Sequence, residues 1–351
     1  MSKYFITGYI GEGAGRMFRD LEDQEQVMLL AQVIPARWKR FLFFRIEHFT
    51  KGFRRFAWLK KLFYRWYAIF NLKDVPADGC FIFVNSLFMS LYDPDMLQKL
   101  KKKYPGRKMV LYIVDPMAGF CGEDKEKVIA MMDLVYSVHP DDCKKYGFHY
   151  HPLVYSAPHK NADTDEKRLY DLYYLGSGTD RTEFLARIAD RCRKSGIRTE
   201  FHVVSGQVQS VTDEDIHFHV KPLSYEENEQ MIRSARCMLE LMHEGFQGAT
   251  QRYMEAVIYG KKLLTNNDHV TELEFYDPRY ICVFHSVEEI EPEFLLSEKD
   301  VDYGYHGEYS PVCFIDRISR QLNMGTDGDT IEQVRYADEG SNISRRNGVT
   351  D

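Results

Sequence analysis

No run in this 351-residue chain stays apolar for the roughly 18–20 positions that a bilayer-spanning helix requires, so the sequence offers no transmembrane segment. The N-terminal stretch has neither a basic n-region nor an apolar h-region, and a secretory signal is not expected. The seven cysteines (Cys80, Cys121, Cys143, Cys192, Cys237, Cys282 and Cys313) are odd in number, and none forms a Cys-x-x-Cys pair. That pattern excludes a disulfide framework and a zinc ribbon, and it suits a reducing cytosol. An excess of positive charge is missing too: 46 basic against 53 acidic residues leave −7. The chain as a whole therefore does not seek polyanions, nucleic acid is not an expected partner, and any basic function must be local. The glycines Gly8, Gly11, Gly13 and Gly15 lack the Gly-x-Gly-x-x-Gly spacing of a dinucleotide site and read instead as shaping a loop.

What remains is ordinary globular composition, 44% hydrophobic and 28% charged, with enough length for two domains. Short apolar, β-branched and aromatic runs alternate with helical spacing. Tyr4–Ile10, Cys80–Asn85, Met109–Val114 and Leu134–Val138 predict strands in the first half, with a helix over Asp93–Tyr104. The second half repeats the plan. Strands are expected at Tyr170–Leu175, Arg198–Val204, Ile216–His219, Cys237–Met242, Lys262–Thr265 and Tyr280–Phe284, with helices over Thr182–Lys194, Tyr225–Ser234 and after Thr250. Such alternation implies parallel sheets covered on both faces, hence an α/β chain of two Rossmann-like domains facing a cleft. The polar run Ala157–Lys167 predicts the boundary. The expected domains are 1–160, then 161–322 with a closing helix over 310–322, followed by a disordered tail at 323–351.

One segment departs from the rest. Between Arg37 and Arg65 there are ten basic residues and one acid, Glu47, and all three tryptophans fall between Trp38 and Trp66. At 100° per residue, Phe49, Phe53, Phe56, Phe63, Tyr67 and Phe70 share one face of a helix over 37–70, and Lys51, Arg54, Arg55, Lys61 and Arg65 share the other, with Gly52 a candidate break. A basic aromatic helix can lie in an anionic membrane interface, and the expected contacts are Trp38, Arg54, Arg55, Trp58, Lys61, Arg65 and Trp66. The same residues also read as a domain helix with its rings in the core.

Ligand chemistry in an open α/β sheet belongs at the carboxyl ends of the strands. Three places there have phosphate-binding character. Gly176 and Ser177 end a strand just before a helix, with Arg181 able to add a bidentate charge. Gly206 follows another strand and allows close backbone approach. The third is the stretch around Gly248 and Thr250, which can open a helix toward a diphosphate, with Arg252 adding charge and Glu255 accepting from ribose hydroxyls. The alternative for this turn is a Thr-capped helix carrying an Arg252–Glu255 pair.

At these residues the sequence resembles the GT-B glycosyltransferases of bacterial capsule, O-antigen and lipopolysaccharide synthesis, in particular galactofuranosyltransferase-like enzymes. The resemblance runs over most of 75–322. It rests on Tyr173-Tyr174-Leu175-Gly176-Ser177, on Gln247-x-x-Thr250-x-Arg252-x-x-Glu255-Ala256 and on Lys261-Lys262-Leu263-Leu264-Thr265-Asn266-Asn267. Earlier in the chain it rests on Tyr112-Ile113-Val114-Asp115 and Asp133-Leu134-Val135-Tyr136-Ser137. It implies a nucleotide-sugar donor held by the second domain, through Arg181, Thr250, Arg252 and Glu255 with Gln247 beside them, and a lipid-linked or glycan acceptor held by the first. Retaining members carry two glutamates eight positions apart, but eight before Glu255 stands Gln247, and Glu244 is eleven away. Inversion is therefore expected, with a base to take the acceptor proton. Asp115 is the first candidate, followed by His139 and Asp142. Arg181, Arg252 and the helix N-terminus would stabilise the leaving diphosphate without metal or other cofactor.

The metal readings are weaker. Asp93-Pro94-Asp95 reads as a helix cap, and His149-x-His151 and His217-x-His219 lack a third ligand at a telling spacing. Two other function classes remain at this point, a nicotinamide-dependent oxidoreductase and a non-catalytic nucleotide-sugar-binding scaffold. A cytoplasmic enzyme, peripheral on the inner face of the cell membrane, is the expectation.

Overall fold

The computed structural model describes residues 2–8, 17–30, 33–52, 61–84, 92–117, 125–156, 168–177, 181–205, 213–242, 248–298 and 300–324, with the side chains of 47–52 excepted. The chain forms two six-stranded sheets, parallel throughout. The first contains β1 (Tyr4–Thr7), β2 (Val27–Leu30), β3 (Cys80–Val84), β4 (Lys108–Ile113), β5 (Leu134–Ser137) and β6 (His149–Tyr150), in the order β2-β1-β3-β4-β5-β6. The second contains β7 (Tyr170–Ser177), β8 (Thr199–Val204), β9 (Ile216–His219), β10 (Ala235–Glu240), β11 (Lys262–Thr265) and β12 (Ile281–Val283), in the order β12-β11-β10-β7-β8-β9.

Each sheet buries both faces because successive side chains alternate across it. On one face of the first sheet, Phe5, Phe81, Phe83, Leu111 and Ile113 pack on Met96, Leu97 and Leu100 of α2 (Pro94–Lys103). This helix starts where the chain says it should: Asp93 Oδ1 accepts the Met96 amide at 2.9 Å and Pro94 stands in the first turn, so Asp93 is a cap. In the second sheet, Leu172, Phe201 and Leu239 pack on Leu185, Ile188 and Cys192 of α5 (Thr182–Lys194), while Tyr173 and Met238 face α6 (Tyr225–Ser234) and α7 (Gln251–Ile258).

The last helix, α9 (Pro311–Gln321), is placed by its position in the sequence at the end of the second domain, yet it packs on the first. Val312, Phe314, Ile315 and Ile318 share a core with Tyr4, Ile6, Ile82, Tyr112 and Tyr136, and Gln321 accepts the Tyr136 hydroxyl. The second face of the first sheet is apolar and needs a cover, which α9 provides by crossing back. Met324, just beyond it, is buried, and Ser319 donates to its carbonyl; 325–351 lie outside the described residues, as does the expected boundary 157–167.

The basic aromatic segment is not one helix over 37–70. The first helix, α1, spans Arg37–Gly52, and 3₁₀ turns follow at Tyr64–Trp66 and Ala68–Asn71. A continuous helix would keep Tyr64 and Tyr67 on one face but turn Ile69 to the opposite side, whereas all three are buried in the core. The Asn71 side chain donates to the Tyr67 and Arg65 carbonyls, and the Ala68 amide donates to Val33, which fixes the turns. Of the face expected to be a single apolar stripe, Tyr67 is core, while Phe63 and Phe70 pack half-buried against it. Lys61, one of the expected membrane contacts, is paired with Asp95 of α2. Trp66 packs against Trp38 and Phe63, and Arg65 is exposed. Arg54, Arg55 and Trp58 lie outside the described residues.

Candidate functional site

A cavity of 860 Å³ opens between the two sheets. From the first sheet it is lined by Val114 and Val138, each just past the carboxyl end of a strand, and by Leu153. From the second it is lined by the ends of β7 and β8, by the segment Lys221–Leu223, by Tyr225 and Asn228 of α6, by Glu240–Met242 after β10, and by Ala249–Arg252 at the start of α7. Chemistry therefore gathers at strand carboxyl ends, where parallel sheets leave loops free to diverge.

Gly176 and Ser177 form one wall. A Cβ at Gly176 would collide with the Tyr174 hydroxyl, so any larger residue there would have to displace the Tyr174 ring. Arg181, at the entrance to α5, spans two walls: Nη1 donates to the Leu241 carbonyl at 2.5 Å and Nη2 to that of Ser177 at 2.6 Å. Thr250 caps α7, its hydroxyl oxygen accepting the Tyr253 amide at 3.2 Å. Gly248 is buried just before this turn and does not line the cavity. Gly206 and Gln247 lie outside the described residues.

Arg252 also lines the cavity, and its charge is shared. Its guanidinium pairs with Glu255 at 2.6 Å and reaches Asn228 Oδ1 at 3.4 Å. Glu255 is fully buried and off the cavity wall. It accepts from Asn228 Nδ2, Gln251 Nε2 and the Tyr155 hydroxyl, each within 3.1 Å. Tyr155 follows the last strand of the first sheet in the chain but is buried in the core of the second, where its amide donates to the Tyr309 carbonyl.

Two cavity groups were not visible in the sequence reading. Lys221 adds a third cation beside Arg181 and Arg252. Glu240 ends β10 inside the cavity wall, almost wholly buried, and accepts hydroxyl hydrogen bonds from Thr250 and Thr265. Burial pushes its carboxyl above the ordinary glutamate range, only partly offset by the two hydroxyls and Arg252. An acid interrupting the apolar strand Cys237-Met238-Leu239 directly before a glycine-containing loop was the available signal.

The three candidate bases come together on the first-sheet side. Asp115, exposed, follows cavity-lining Val114; His139, mostly buried, follows cavity-lining Val138. Asp142, in the first turn of α4 (Pro140–Tyr146), accepts the Met117 amide at 2.8 Å, which ties the loop after β4 to α4. Burial pushes the His139 imidazole below its usual value against the opposing pull of Asp142, Asp115 and Asp141.

The paired histidines serve local packing. His151 is stacked among Tyr112, Tyr136 and Phe314, and burial drives it down to about 3. His217 and His219 share a hydrogen-bonded cluster with His202 and Glu200 across β8 and β9. Among the described residues no group of three or more ligating side chains is arranged to hold a metal ion, and no helix is long and apolar enough to cross a membrane.

Two parallel Rossmann-like sheets with their carboxyl ends on a shared cavity are the GT-B fold, which the first of the following solved structures shares. An alpha-glucosyltransferase solved with UDP and a 13-mer DNA containing a central A:G mismatch superposes with a TM-score of 0.54 at 9% identity, covering 91% of this chain and 98% of that one. A UDP-forming alpha,alpha-trehalose-phosphate synthase from Burkholderia vietnamiensis gives 0.45 at 11% identity, covering 93% and 90%. The glycosyltransferase SnogD from Streptomyces nogalater gives 0.45 at 12%, covering 92% and 96%. No protein-family model and no curated protein matches the chain.

Proposed function

We propose that this chain is an inverting glycosyltransferase of bacterial surface polysaccharide synthesis. It moves a hexosyl group from a nucleotide-sugar donor to a lipid-linked or glycan acceptor at the inner face of the cell membrane. The observation that carries the reading is the cavity itself. Its second-sheet side offers Arg181, Arg252, Lys221 and the amides at the start of α7, a set suited to a diphosphate. On its first-sheet side Asp115 and His139 directly follow the lining residues Val114 and Val138, with Asp142 behind them, though none of the three lines the cavity itself. The donor diphosphate would lie against the cations, and the acceptor hydroxyl would enter from the first sheet. Asp115 is the base in this reading, taking the hydroxyl proton as the oxygen attacks the anomeric carbon. The departing charge is met by guanidinium groups and helix dipole, and no metal is required.

The similarly folded glucosyltransferase was solved with UDP, which makes uridine nucleotides the first to try. Calorimetry of the purified chain with UDP-, GDP- and dTDP-sugars tests the reading. Micromolar binding of one class supports it, and no binding of any defeats it. Donor consumption that requires an acceptor separates an enzyme from a scaffold, and a nicotinamide titration separates it from an oxidoreductase.

A further inference from the structure

We infer that the outer face of α1 is a docking surface for an anionic lipid bilayer and that it holds the acceptor side of the cavity toward that bilayer. The inference rests on the proposed function for its acceptor, but not for the surface. Trp38, Phe41, Leu42 and Arg45 fall at i, i+3, i+4 and i+7, one stripe of a helix, and the stripe points outward: Trp38 is 63% exposed, Phe41 68% and Leu42 40%. Phe43, on the other side, is fully buried and anchors the helix. Phe44 adds a further ring at the border. Exposed rings side by side on a monomer mark a surface that meets something apolar.

Its charge says what that partner is. Arg37, Lys39, Arg40 and Arg45 surround the rings, and no acid occurs between Arg37 and Ile46. Lys39 sits 5.6 Å from the ring centres of both Trp38 and Trp66, so the cations and rings form one continuous patch. Two copies meeting through this face would oppose like charges. A nucleic acid would leave Phe41 and Leu42 in water. A bilayer with anionic headgroups satisfies both, with rings at interface depth and guanidinium groups among phosphates.

The patch is linked to the cavity side of its sheet. Phe43 stacks edge-on with Tyr67 at 5.8 Å, Tyr67 with Tyr92 at 5.9 Å, and the Tyr92 hydroxyl bonds Thr7 Oγ1 at 2.7 Å, at the carboxyl end of β1. In the proposed docked state α1 stands on the bilayer that carries a lipid-linked acceptor, joined through these rings to the carboxyl end of β1.

Flotation of the full chain with phosphatidylcholine vesicles, with and without 30% phosphatidylglycerol as the chosen anionic probe, tests this. Wild type is expected to float only with the anionic vesicles and less at high salt. Trp38→Ser/Phe41→Ser is expected to lower the bound fraction at least tenfold, and each cation removed among Arg37, Arg40 and Arg45 to weaken binding roughly fivefold. Unchanged melting and unchanged nucleotide binding show that the variants are folded. Absence of wild-type flotation, or equal flotation of Trp38→Ser/Phe41→Ser, overturns the inference, as does a wild-type dimer in solution that Phe41→Ser converts to monomer. Failure of nucleotide binding with normal flotation defeats the proposed function alone.

Discussion

The carboxylate of Glu240 accepts the hydroxyl of Thr250, the residue that caps α7, so a buried acid stands at the mouth of the helix expected to receive a diphosphate. Burial raises this carboxyl above 4.5, its ordinary value, which means that the folded state disfavours the ionised form. Its contribution to stability is full below 4.5 and declines as pH rises through the higher folded-state value. Melting temperatures measured across that range should fall for wild type and stay flatter for Glu240→Gln. Parallel curves would show that Glu240 does not titrate there.

Arg181 bridges the Ser177 and Leu241 carbonyls on two walls of the cavity. Arg181→Ala removes a charged donor worth about 1.5–3 kcal/mol, so nucleotide-sugar affinity should drop roughly 10- to 100-fold by calorimetry. Arg181→Lys should recover only part of it, because an ammonium cannot span both carbonyls.

Asp115→Asn should lower kcat by about 10²–10⁴ while leaving donor affinity nearly unchanged, the loss typical of removing one acid–base group. Equal loss of both parameters would make Asp115 a structural residue.

His139 is held below its usual 6.5 by burial. Its neutral form is the one that suits the fold, so its contribution to stability is present above 6.5 and is lost as pH falls through the lower folded value. Thermal melts of His139→Gln should lose that acid-side decline.

Asp171 is almost wholly buried and pairs with Arg198 at 3.1 Å and Arg236 at 3.0 Å. Burial alone would raise its pKa, but the Arg198 hydrogen bonds and charge outweigh this and hold it below the usual carboxylate range. Asp171→Ala leaves the mostly buried Arg236 with only the exposed Glu298 as its ion-pair partner and should cost about 1–3 kcal/mol in denaturant unfolding.

Ten of the twelve strands and the parallel two-sheet plan followed from the chain alone, because apolar periodicity and glycine or proline punctuation are local; β2 and β6, at the two edges of the first sheet, and the strand order did not. The same holds for the caps at Asp93 and Thr250, whose side chains satisfy amides three residues away. Part of the site was legible for that reason: Gly176, Arg181, Thr250 and Arg252 are near strand ends and helix starts. Glu240 and Lys221 entered only through the fold, which brings β10, β11 and the segment after β9 to one wall. The burial of Glu255 depends on Tyr155, a hundred residues away. The 3₁₀ turns at Tyr64–Trp66 and Ala68–Asn71 depend on a core that demands Tyr64, Tyr67 and Ile69, and helical spacing alone cannot register that demand. Local sequence sets which backbone groups a residue can satisfy, while burial and charge partners come from distant segments, so only the assembled sheets decide which face of α1 meets water and which carboxylates are enclosed.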